Sequence, residues 1–86
     1  MGETNIDKII EFAKGKLIEV VKDVNIYAKN GHIKNNFISL GVSAAYVEML
    51  SFLGIGGEIT VEDAGEYCVK ISYLEFGGEK IKFCDD

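Results

Sequence analysis

The sequence predicts an α+β domain, two helices packed on a small antiparallel sheet ending in a C-terminal β-hairpin. Three observations carry that expectation. Apolar residues recur at helical spacing from residue 5 onward, a second helical pattern lies between Ser43 and Gly54, and two strand-like runs in the last third flank Gly77-Gly78.

The first helix is predicted over residues 5 to about 22. Ile6, Ile9, Ile10, Ala13, Leu17, Val20 and Val21 share one face, and the charged residues lie mostly elsewhere. Thr4 and Asp7 form the [ST]-x-x-[DE] capping pattern at its start. Two readings fit the next stretch. Val24, Tyr27 and Ala28 continue the helical face, with Asn30-Gly31 as the C-cap. The same pair also suits a two-residue hairpin turn that gathers Val24, Ile26, Ala28, Ile33 and Phe37 on one side. The continued helix is preferred, followed by an extended segment through Leu40.

The second helix is predicted over 43–53, with Ser43 as N-cap and Gly54 as C-cap. Val42, Tyr46, Met49, Leu50 and Leu53 make its core face. The opposite side holds Ala44, Ala45, Glu48, Ser51 and Phe52, small and weakly polar. A helix apolar nearly all round is buried on more than one side. In a chain of 86 residues this predicts a homo-oligomer. A pocket between subunits would draw on Tyr46, Glu48, Ser51 and Phe52.

The hairpin pairs Val69–Phe76 with Glu79–Cys84. Segregation of polar from apolar residues favours a three-residue loop, Gly77–Glu79, with Tyr73 opposite Phe83 and Glu75 opposite Ile81. That register turns Leu74 and Phe76 outward, sets Cys84 opposite Ser72 and keeps it far from Cys68, so no disulfide is expected.

No Pro-rich linker or low-complexity tract divides the chain, so it reads as a single domain, 1–86. The charge is uneven. Residues 1–57 balance six acids against six lysines, whereas 58–86 hold eight acids against three lysines, a net of −5. Such a field repels nucleic acid and attracts basic partners. Arginine, the best side chain for bidentate phosphate or guanine contacts, is absent. The polar start and two thiols without metal spacing point to a reducing cytoplasm. Phe37 to Ile55 is long enough to span a bilayer, but Glu48 near its centre and three serines favour a buried helix over a membrane span.

Catalytic and cofactor motifs are missing. Gly54-Ile55-Gly56-Gly57 lacks the third glycine of a dinucleotide fingerprint and runs from helix to strand. Glu58, Glu62, Asp63 and Glu66 do not keep the alternate spacing of a calcium loop. His32 stands alone beside a turn. Leu40-Gly41-Val42-Ser43 leads into a helix without basic or amide residues, which excludes a DNA-reading helix–turn–helix. No enzyme activity, cofactor, metal or direct nucleic-acid contact is expected.

Glu62-Asp63-Ala64-Gly65-Glu66-Tyr67-Cys68 resembles the immunoglobulin D-x-G-x-Y-x-C signature, and Phe76-Gly77-Gly78 resembles a variable-domain J segment. The cysteine follows Tyr67 directly, one position early. No earlier cysteine or tryptophan completes an inter-sheet core, and two helical patterns fill the region of the missing strands. The likeness is therefore read as chance.

The functional expectation is a non-enzymatic acidic protein that inhibits or modulates a basic protein partner. Its contact residues would be Glu58, Glu62, Asp63, Glu66, Leu74 and Phe76, apolar anchors set within charge. A viral anti-defence inhibitor, such as an anti-CRISPR protein, is one concrete case by analogy of size and charge. The alternative is an oligomeric small-ligand-binding protein with its pocket between subunits.

Overall fold

A computed structural model describes residues 5–65 and 67–83. The α+β expectation holds: a helical hairpin covers one face of a three-stranded antiparallel sheet, and all strands follow the helices. The elements are α1 (Asn5–Lys29), α2 (Ile33–Phe52), β1 (Gly57–Asp63), β2 (Val69–Phe76) and β3 (Glu79–Lys82), with β2 in the middle.

The continued-helix reading of residues 24–29 is the one observed. Ala13, Leu17, Val21, Val24 and Ala28 form a continuous buried stripe along α1. The helix ends at Gly31, whose φ of +71° is open to glycine at little steric cost. The His32 N–H reaches the Tyr27 carbonyl (2.9 Å) and the Gly31 N–H reaches that of Ala28 (3.2 Å), the paired bonds of a Schellman cap. The proposed Thr4 cap lies outside the described residues.

The extended segment through Leu40 is not present. Helix α2 starts at Ile33, ten residues before the expected Ser43 cap, directly after the turn. Its N-cap, His32, makes no capping bond through its side chain, so no Ser, Thr or Asp marks the start. Ser43 is buried mid-helix, donating its hydroxyl back to the Ser39 carbonyl at 3.1 Å. The buried positions of α2 are Asn36, Ser39, Ser43 and Leu50, with Leu40, Tyr46 and Val47 packed partly buried on the core, so the inner face is polar mainly in its first half. Val42 and Met49, expected in the core, are exposed. Gly54, at φ +93°, does terminate the helix, with Ile55 N–H bonded to the Leu50 carbonyl at 2.8 Å.

The hairpin register differs from the expected one. Gly77 and Gly78 form a two-residue turn at φ +56° and +85°, pairing Phe76 with Glu79, Leu74 with Ile81 and Tyr73 with Lys82. Two features explain the difference. The β1–β2 register slips between Thr60 and Val61, leaving Ser72 of β2 as an unmatched residue. The bulge shifts the alternation by one, so Ile71 joins Leu74 and Phe76 inside. The mixed outer face that argued against this register is also favourable, because the Lys80 ammonium sits 4.5 Å from the Tyr73 ring centre. Leu74 and Phe76 are thus core residues, not outward anchors. The expected position of Cys84 lies outside the described residues.

The core joins the α1 stripe to Leu50, Ile71, Leu74 and Phe76, with Ile59 and Ile81 packed against it. Strand β3 ends at Lys82, so Val69 and Ile71 of β2 have no partner strand there. Side-chain amides take that role. Asn25 of α1 accepts from the Ile71 N–H (2.8 Å) and donates to its carbonyl (3.0 Å). Asn36 of α2 does the same for Val69, at 3.0 and 2.7 Å. These two amides tie both helices to the central strand.

Candidate functional site

With Leu74 and Phe76 inside, the expected contact residues Glu58, Glu62 and Asp63 fall on one edge of the sheet. Strand β1 pairs with β2 along one side only and is an edge strand. Glu58, Glu62 and Asp63 are all exposed along it. Glu62 makes a loose ion pair with Lys70 at 4.0 Å, open to water. Glu66 is outside the described residues. Exposed Val61 sits among these acids and supplies an apolar contact that the sequence reading passed over.

The chain then turns back toward β2. The Ala64 N–H donates to the Cys68 carbonyl (2.9 Å) and the Cys68 N–H to the Gly65 carbonyl (3.2 Å). Cys68 is a buried free thiol under this turn. Tyr67 stands at its tip, 82% exposed, with a φ of +66°. It is the only non-glycine residue at positive φ among the described residues. A bulky side chain in this region is strained by about 1–2 kcal/mol. The sequence held one signal for it, a tyrosine directly after a Gly-containing acidic run.

Two clefts flank the turn. One, of about 440 Å³, lies against the end of α1 and is mixed in character, with Asn25, Lys29, Asp63 and Lys70 beside Ala28 and Phe83. The other, of about 630 Å³, is apolar and shallow, formed by Ile33, Phe37, Tyr67, Cys68 and Val69. Neither contains Tyr46, Glu48, Ser51 or Phe52. Tyr46 packs partly buried against the core, while Glu48, Ser51 and Phe52, at i, i+3 and i+4 on α2, are exposed together. Among the described residues, no group of three or more His, Cys, Asp or Glu side chains is placed to hold a metal ion. No helix among them is long and apolar enough to cross a membrane.

Comparison with known proteins gives no match to a family model, to a curated protein or to a solved structure.

Proposed function

We propose that this protein is a non-enzymatic binding module that engages a basic protein partner through β1 and the Tyr67 turn, and so inhibits or modulates it. The observation that carries this reading is Tyr67, an exposed aromatic held in a strained backbone conformation at the end of an acidic edge strand. Backbone strain persists where the surrounding structure enforces it, and it is concentrated at binding sites. Tyrosine is a preferred interface anchor, and Val61 adds apolar area within the ring of acids.

The partner's chemistry follows from the edge. An open strand is a template for another strand or an extended segment. A second copy of β1 would set Glu58, Glu62 and Asp63 against the same acids, which repel. A partner carrying lysine or arginine meets no such penalty and associates faster by electrostatic steering. Nucleic-acid-handling proteins present such surfaces, so inhibition of that machinery, of the anti-CRISPR kind, is the concrete form of the proposal. A reducing cytoplasmic setting accords with the buried thiol of Cys68.

The test is affinity capture from a host lysate with two immobilised proteins, the wild type and a Glu58→Gln, Glu62→Gln, Asp63→Asn variant. The reading expects a basic protein that the wild type retains at low salt and the variant loses. Recovery of no partner dependent on these residues would refute it.

A further inference from the structure

The α2 helix buries Asn36, Ser39 and Ser43 along its first half and packs Leu40, Tyr46, Val47 and Leu50 on the core, yet it also leaves apolar residues exposed. On an adjoining flank of the helix, Asn35, Ile38, Val42, Ala45, Met49 and Phe52 recur at alternating steps of three and four. That is the a/d spacing of a helix packed along its length against another helix. Among the described residues no element fully covers this seam: Ile38 is 55% exposed, Val42 39%, Met49 36% and Phe52 88%. Isolated apolar surface residues need no explanation, but a continuous periodic row does.

We infer that this seam is a dimer interface in which α2 of one copy packs against α2 of a second copy, antiparallel about a two-fold axis. The area supports a second copy. Large side chains present about 150–250 Å² each, so these exposures leave on the order of 450 Å² of seam per copy. Two copies together bury on the order of 900 Å², and Asn35 of the seam with the flanking Gly41 and Glu48 carry the total to the ~1,000 Å² that separates specific interfaces from incidental contacts. Charge supports it as well. The chain carries −5 overall, yet α2 holds only Lys34 and Glu48, so the two faces meet without the repulsion that guards β1. Lys34 and Glu48 lie two heptads apart on one flank of the seam. An antiparallel pairing lays the cation end of one copy along the anion end of the other. Small Gly41 and Ala45 near the helix midpoint permit close approach at the crossing.

The inference is independent of the basic-partner reading, because it uses a different surface. Sedimentation velocity and light scattering on the full chain test it. The expected wild-type result is twice the 9.5 kDa chain mass at about 0.1–0.5 mM, a range suited to an interface of this size. Val42→Lys with Met49→Lys is expected to give a monomer with an unchanged circular-dichroism spectrum. Ala45→Glu, a change at an exposed position, serves as the second variant if the first is unfolded, with the same expectation. Glu58→Gln with Glu62→Gln is expected to remain a dimer. A wild type that stays monomeric throughout this range overturns the inference, as does a folded seam variant that remains dimeric. A monomeric wild type that cosediments with neutral phosphatidylcholine vesicles would assign the seam to a lipid surface instead.

Discussion

Asn36 pairs with Val69 as a neighbouring strand would: the carboxamide oxygen accepts the Val69 N–H at 3.0 Å, and the carboxamide nitrogen donates to the Val69 carbonyl at 2.7 Å. The same nitrogen donates to the Val24 carbonyl of α1 at 2.9 Å. One fully buried side chain therefore bonds α1 and β2 from α2. Replacing it by leucine keeps the size and removes all three bonds, leaving Val69 unpaired. Asn36→Leu is expected to lower stability by about 2–4 kcal/mol, seen as a fall in the urea midpoint at constant slope. Asn25→Ala, at a half-buried site with two such bonds, is expected to cost about 1–2 kcal/mol.

Two glycines separate conformational need from convenience. A Cβ on Gly57 would lie 2.9 Å from the Glu75 carbonyl oxygen and 3.2 Å from the Phe76 Cβ, at the first residue of β1. Gly57→Ala is expected to destabilise by about 1–3 kcal/mol through forced separation of β1 from β2. Gly15 lies inside α1 with open space around its Cβ position. Gly15→Ala is expected to stabilise by about 0.5–1 kcal/mol. Thermal melts of the two variants should shift in opposite directions.

The two-residue turn makes its own prediction. Gly77, at φ +56°, is the first of two left-handed positions, where asparagine is well accepted and β-branched residues are not. Gly77→Asn should leave stability within about 0.5 kcal/mol of wild type, and Gly77→Val should cost about 1–2 kcal/mol or more. Urea denaturation of both distinguishes this turn from a three-residue loop.

The first helix was legible because its buried stripe is apolar from Ala13 to Ala28 and a glycine ends it. The front half of α2 was not. Its buried positions are Asn36, Ser39 and Ser43, so apolar periodicity gives no core signal there; Val42 and Met49 were misplaced, whereas Tyr46 and Leu50 do pack on the core. Ser43 imitates an N-cap in sequence, whereas the real start has no capping side chain. The hairpin misled for a different reason. One unmatched residue at Ser72 reverses the alternation midway along β2, and no local residue signal announces it. Of the candidate site, the acids of β1 were legible as an uneven charge distribution. The anchor was not: Tyr67 gains its role from a backbone angle, and Leu74 and Phe76 appeared outward only in the wrong register.

Leu74 and Tyr67 should therefore respond oppositely to substitution. Leu74→Ala empties fully buried space between the sheet and the helices and is expected to cost about 2–5 kcal/mol. Tyr67→Gly releases a strained φ and exposes no core, so it is expected to raise stability by about 1 kcal/mol. The same variant is expected to weaken partner capture. A stabilising change that removes binding would mark Tyr67 as held for function.

The most direct test of the basic-partner reading is an amide chemical-shift titration of the labelled protein with the captured partner, run at low and high salt. The account predicts perturbations concentrated at Glu58–Asp63 and Tyr67, weakening steeply as salt rises. Perturbations confined to α2, or binding that ignores salt, would contradict it.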